Sequence, residues 1–327
     1  MKRITHWLAL AGLALAAALF ARNNAAQIGE SVVAAGPGLV IAALLHALPM
    51  VVNAIAWRRL FAGPLRPDVR ALAFAVWVRE SVNGILPVAR IGGEIVAYRM
   101  LRRNAVSRAE AAASLVADMA LSVVSQSAFA FLGLGLLLAA GRTSTMTTQL
   151  LAAAAALLVL GGGFIVVQRA GTLAATTRVV ARLFARPLRS TVRTSHRVDR
   201  AIRAVYARPR DVVACVAWQL VAWIAGAGEI WLALYFLGQP HDVYDAIAIE
   251  ALIQAISSAA FIVPGALGIQ EGGFVLVGAA LGLDATTSLA LAAARRLRDV
   301  VVFIPGLLAW QWSGARAARL TAAAALK

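Results

Sequence analysis

Five stretches of this chain stay apolar for about as long as a bilayer is thick: Trp7 to Ala21, Gly38 to Trp57, Ala111 to Ala140, Gln149 to Val167 and Val212 to Leu237. Crossing the hydrocarbon core as an α-helix takes about 20 apolar residues. Lipid offers no hydrogen bonds to the backbone, so a spanning chain must be helical or a closed barrel. The alternating segments of about ten residues that build a barrel are absent here. With 61% hydrophobic and 14% charged residues, the reading is an all-α polytopic membrane protein, one integral-membrane domain over residues 1–327.

The formal charge of +16 is unevenly placed. Eleven arginines and one acid, Asp199, lie between Arg169 and Arg210, with apolar blocks on both sides. Basic residues next to spans mark the cytoplasmic face and attract anionic lipid headgroups. Stacking platforms for nucleic acid are nearly missing, with only Phe184 and Tyr206, which argues against a nucleic-acid partner. The linker 169–210 is therefore expected to be cytoplasmic. Helical spacing of Val179, Val180 and Leu183 against Arg178, Arg182 and Arg186 predicts amphipathic helices lying on the membrane. Cys215 is the single cysteine, so neither an internal disulfide nor a cysteine metal site is expected, and the sequence calls for no cofactor. The charged start and apolar middle of residues 1–24 fit either a signal peptide or a retained first helix, and the spans that follow favour the latter.

Basic flanks used as anchors give about six full spans and two exceptions. Ala71 to Leu86 enters from the cytoplasm, yet Ile95 to Leu101 ends at Arg99, Arg102 and Arg103, again cytoplasmic. Neither is long enough to cross, and Pro87, Gly92 and Gly93 break the helix between them. On the opposite side, Ala246 to Val263 and Gly272 to Leu283 flank Pro264, Gly265 and Gly268 in the same way. Two re-entrant helical hairpins are the simplest solution.

The breaks also match in sequence. PVARIGGE, Pro87 to Glu94, and PGALGIQE, Pro264 to Glu271, share the proline, the third-place alanine and the glutamate at an offset of 177 residues. Opposite entry sides predict an inverted repeat, with repeat one at 38–140 and repeat two at 211–314. Broken helices in corresponding places of two halves mark the substrate site of many transporters.

Charges fall at the same depth. Arg79, Glu80, Arg90, Glu94 and Asp118 in the first half, and Glu250, Glu271, Arg295, Arg296, Arg298 and Asp299 in the second, all lie inside predicted membrane depth. A charge there costs at least about 2.5 kcal/mol unless it is paired or wet. From these, Glu80, Arg90, Glu94, Asp118, Glu271, Arg295 and Arg298 are the candidate translocation residues. Structural alternatives stand beside them: Glu80 neutralising its neighbour Arg79, Arg295 and Arg296 facing a vestibule or snorkelling, and Glu94 and Glu271 capping hairpin tips. Glu229 reads as a packing residue with an arginine partner, and His46 with Pro49 as a kink.

The stretches NGILPVARIGGE and FIVPGALGIQEGG, Asp118 in the helix after the first, and the run Arg298 to Pro305 resemble the flippase-like integral-membrane family named after the lysylphosphatidylglycerol synthetase membrane region. FIVPGALGIQEGGFVLVGAALGL is similar to its hopanoid-biosynthesis-associated, HpnL-type branch. The resemblance implies a protein of the bacterial inner membrane that moves a polar-headed lipid, hopanoid-related or a phospholipid, between leaflets, with arginines binding the headgroup. Family members often carry arginine after the aspartate matching Asp118, where this chain has Met119. No soluble aminoacyl-transferase segment accompanies the membrane part, so lysyl transfer is not implied.

An intramembrane enzyme is disfavoured: HExxH and GxSxG are absent and there are only four histidines. The remaining alternative is a non-catalytic scaffold or lipid-binding partner of a biosynthetic enzyme. A homo-oligomer is compatible with either reading.

Overall fold

A computed structural model describes residues 2–61, 66–86, 91–141, 158–159, 162–163, 165–170, 189–259 and 263–325. Among these residues every regular element is helical. In chain order they are α1 (Lys2–Arg22), α2 (Ala25–Ala35), α3 (Pro37–Leu45), α4 (Ala47–Arg58), α5 (Val69–Ile85), α6 (Gly92–Arg103), α7 (Arg108–Ala139), α8 (Arg189–Tyr206), α9 (Pro209–Phe236), α10 (Val243–Ala259), a 3-10 turn (Pro264–Ala266), α11 (Ile269–Leu281), α12 (Ala285–Arg298), a π turn (Asp299–Phe303) and α13 (Ile304–Ala325).

Three helical stretches are long and apolar enough to cross a membrane, namely Pro37–Arg58, Arg108–Ala139 and Pro209–Phe236. Their long exposed side chains, such as Ile41, Leu132 and Val213, would be unfavourable in water and suit lipid. The expected block Gln149 to Val167 and the basic stretch 171–188 lie largely or wholly outside the described residues.

Two expected spans prove to be broken. The block Gly38 to Trp57 turns at His46, where Pro49 denies α4 a backbone donor near its start, so the expected kink is present. Thr286 to Trp312 is interrupted by the π turn, which ends two residues before Pro305. A proline ring collides with the carbonyl four residues back, and one extra residue in the turn relieves that clash without ending the helix. A third difference is α2, a helix that sequence periodicity did not single out. Asn24, in the left-handed region, starts it by accepting from the Gln27 N–H.

The core has two parts. One gathers Trp57, Phe61, Leu72, Leu101 and Leu121 from α4 to α7, with Ile202 and Tyr206 of α8. The other gathers Leu39, Ile230, Leu252, Phe274 and Leu291 from α3 and α9 to α12. In α8 the buried Val198, Ile202, Val205 and Tyr206 recur at helical spacing while Arg197, Arg200 and Arg203 stay exposed. One face thus packs on the protein and the other keeps its charges in a polar medium.

Two antiparallel helix pairs place the breaks. At the end of α5, Asn83 Oδ1 accepts from the Gly93 N–H at 2.9 Å, so α6 turns back along α5. Gly93 is obligatory there because a Cβ would run into the Arg79 carbonyl and the Asn83 amide. In the second pair Gln270 donates to Ser257 at 3.3 Å and a Cβ on Gly273 would press on Ile253 and Ile256, which lays α11 back along α10. The end of α5 then meets the second break. A Cβ on Gly265 would sit 3.9 Å from the Gly84 carbonyl, and one on Gly84 would sit 2.8 Å from the Phe303 ring. Trp77 Nε1 fixes the approach by donating to the Val302 carbonyl of the π turn at 2.8 Å. α1 packs on the second break, where Gly12 and Gly268 touch so closely that neither admits a side chain.

Candidate functional site

Three charged clusters lie around the meeting of α5 with the second break. In the first, Arg79 of α5 donates to Asp118 Oδ2 of α7 at 2.7 Å and stands 3.8 Å from Glu94 Oε1 of α6. Its guanidinium carbon lies 5.2 Å from the centre of the buried Trp57 ring, so a cation–π contact replaces part of the lost water. Gln219 of α9 donates to Asp118 Oδ1 at 3.0 Å. Glu94 Oε2, Gln219 Oε1 and Trp57 Nε1 are buried with no hydrogen-bond partner among the described residues.

The second cluster is the most enclosed. Arg295, 1% exposed, forms a short ion pair with Glu250 and lies 3.6 Å from Glu229. Arg298 reaches Asp299 at 2.5 Å and Glu229 at 3.5 Å. Glu229 also faces His46 Nδ1 at 3.0 Å, while His46 Nε2 lies 3.7 Å from Glu80. His46 can face both because it sits at the turn between α3 and α4, where it packs edge-on against Phe303. Gln254 donates to Glu250 at 2.9 Å, and Gln126 crosses from α7 to the Gln254 carbonyl at 3.0 Å. Pairing of opposite charges offsets the cost of removing them from water, although Arg295 Nε and His46 Nδ1 have no hydrogen-bond partner among the described residues.

The third cluster surrounds the second break. Glu271 Oε1 accepts from Arg296 Nη2 at 2.7 Å and Nε at 2.9 Å, while Oε2 accepts from the Gly268 N–H at 2.7 Å. Arg296 Nη1 donates to the Gly265 carbonyl at 2.9 Å. Glu271, third residue of α11, satisfies a free N–H of its own helix start, and the positive φ of Gly265 and Gly268, +61° and +75°, makes the sharp turn possible.

Of the residues singled out in the sequence, Glu80, Glu94, Asp118, Glu271, Arg295 and Arg298 are brought into this charged core, while Pro87 and Arg90 lie outside the described residues. Gly92 and Gly93 open α6, and Pro264, Gly265 and Gly268 form the second turn. Two readings need correction. Glu80 does not pair with Arg79: adjacent residues point about 100° apart on a helix, and Glu80 turns to His46 while Arg79 turns to Asp118 and Glu94. Arg295 neither snorkels nor faces a vestibule, being enclosed by Glu229 and Glu250. Arg295, Arg296 and Arg298 are each engaged by carboxylates. Glu229 has the arginine partners expected of it, together with His46. Sequence reasoning undervalued His46, Arg79, Arg296 and Gln219; the signal available was a polar or ionisable residue deep in an apolar block. Met119, where the family often has arginine, is 43% exposed and points away from Asp118's partners, so Arg79 supplies the charge from another helix.

An all-helical membrane protein with a buried network of paired charges between two broken-helix pairs is the class defined by this geometry. The chain belongs to the family of the lysylphosphatidylglycerol synthase TM region, which it matches over residues 7–306. That family is a transmembrane domain associated with lipid handling. No curated protein and no solved structure matches the chain significantly.

Proposed function

We propose that this protein is a lipid translocator of the bacterial inner membrane. In this reading the α5–α6 and α10–α11 pairs are re-entrant hairpins of an inverted repeat, dipping from opposite faces and touching near the bilayer centre. The observation that carries it is the approach of the end of α5, at Gly84, to the second break at Gly265, with charged clusters on either side. A tip-to-tip arrangement gives two gates around one central point, as alternating access requires. Family membership supports lipid as the cargo.

The headgroup meets the second break. Arg296 is 28% exposed, more than Arg79, Arg295 or Arg298, and its planar fork suits a phosphate or carboxylate bidentately. An incoming anionic headgroup competes with Glu271 for it, while the acyl or polycyclic tail stays in lipid. The hopanoid link and the choice between hopanoid-derived and phospholipid cargo belong to this proposal. The arginine-rich surface of α8 holds the cytoplasmic side on anionic headgroups.

Reconstitution tests the reading. Purified protein in liposomes carrying a bacterial lipid extract should render inner-leaflet headgroups accessible from outside. Arg296→Gln, checked for a monodisperse profile, should abolish that exposure. Equal exposure with and without protein would reject the translocator and leave a scaffold or lipid-binding partner as the better account.

A further inference from the structure

The two glutamates that match at the breaks are both third residues of the helix that follows, Glu94 in α6 and Glu271 in α11. Their surroundings differ in kind. Glu271 receives three donated hydrogen bonds, from Gly268 N–H and from Nε and Nη2 of Arg296. Glu94 has one long ion pair, 3.8 Å to Arg79 Nε, and its other oxygen is buried without a partner among the described residues. Arg79 is meanwhile committed to Asp118 at 2.7 Å. One guanidinium facing two carboxylates leaves a negative charge uncompensated inside the protein, a costly condition unless something positive arrives.

We infer that Glu94 is the exchangeable proton site of the membrane core, and that Glu271 is a fixed part of the second hairpin. The inference rests on the translocator reading for its purpose but not for its chemistry. A proton from the aqueous phase adds to the free Glu94 oxygen, Oε2, giving a neutral carboxyl and leaving Arg79 with Asp118 as its sole full partner. The Glu94 side chain is 18% exposed, which gives the proton a way in, whereas that of Glu271 is 3% exposed.

A second observation marks the place. Gln219, 3% exposed, donates to Asp118 and leaves its Oε1 unpartnered beside the same ion pair. Unfilled acceptors on two helices around a single arginine call for a donor, and a protonated carboxyl is one. A metal cation would meet the Arg79 guanidinium at the same spot and be repelled. The charged groups facing Glu94 are Arg79 and Glu80 on α5 and Asp118 on α7, and Arg90 precedes it in the first break. Further titratable groups of the charged core are His46, held between Glu80 and Glu229, together with Glu250 and Asp299 around Arg295 and Arg298.

Infrared titration of the full-length protein in lipid tests the site without any transport. A protonated-carboxyl band should appear as pH falls, persist in Glu271→Gln and in His46→Gln, vanish in Glu94→Gln, and return displaced in Glu94→Asp. The same band in Glu94→Gln would overturn the assignment. In liposomes, headgroup exposure by the wild type should respond to an imposed pH gradient, and Glu94→Gln should lose that response. A gradient response retained by Glu94→Gln overturns the inference while leaving translocation standing. A titrating band with no exposure upholds the site and rejects the translocator. A response to sodium at clamped pH, lost in Glu94→Gln, would replace the proton with a metal cation.

Discussion

The two broken-helix pairs share the proline, the alanine and the glutamate of an eight-residue stretch and end in different electrostatic states. Around Pro264 every charge is matched and every carboxylate oxygen of Glu271 is occupied. At the first break a carboxylate oxygen is left over. The difference lies in the neighbours supplied by the rest of the fold. Arg296 approaches Glu271 from α12 with Nε and Nη2 together, whereas Arg79 must divide its guanidinium between Asp118 and Glu94. Matching motifs therefore do not make matching sites, because the partner of a buried charge comes from a helix the motif does not contain.

Substitutions can break this contrast, and their expected sizes fall in a definite order. Arg295→Leu should be the most damaging, since it strands Glu250 and Glu229 in the protein interior. Removing one partner of a buried pair costs about 3–5 kcal/mol, and thermal unfolding in detergent should show little or no folded protein. Gly268→Ala should follow at about 3 kcal/mol, from a left-handed backbone and a Cβ driven against the Gly12 carbonyl; an unshifted unfolding midpoint would mean that α1 does not seal the second break. Glu271→Gln should cost about 2 kcal/mol, as charged hydrogen bonds become neutral ones.

Trp77→Phe removes the bond to the Val302 carbonyl and should cost about 1 kcal/mol, read most directly as faster hydrogen exchange in the π turn. Glu94→Gln should fall below about 1 kcal/mol, because the pair it breaks is long and partly exposed. Should Glu94→Gln prove as destabilising as Glu271→Gln, the contrast between the hairpins would collapse.

The same contrast explains what a reader of the sequence can and cannot see. Both breaks are legible because proline and glycine act locally: Pro264, Gly265 and Gly268 impose a turn whatever surrounds them. Helical membrane character is legible from block length alone. Pairing is not. Arg79 and Glu80 are neighbours in the chain yet serve different clusters, and the partners Asp118 and Gln219 of the first cluster come from two other helices. The π turn before Pro305 also escapes periodicity, since the residues around it remain helical in pattern. His46 looked like a kink and is one, but its position at the kink is what lets its ring face α5 and α9 together.

One contact outside the charged core bears on how the protein is made. Arg208, just ahead of α9, donates to the carbonyls of Arg59, Leu60 and Phe61 at the end of α4 and is anchored by Asp211 at 2.8 Å. Those carbonyls have no partner within their own helix. Their ligand is encoded 148 residues after Leu60, so the last turn of α4 emerges from the ribosome and enters the membrane long before its clasp exists. Most of the first half is synthesised in that interval, and closure of this helix end is a late event in biogenesis.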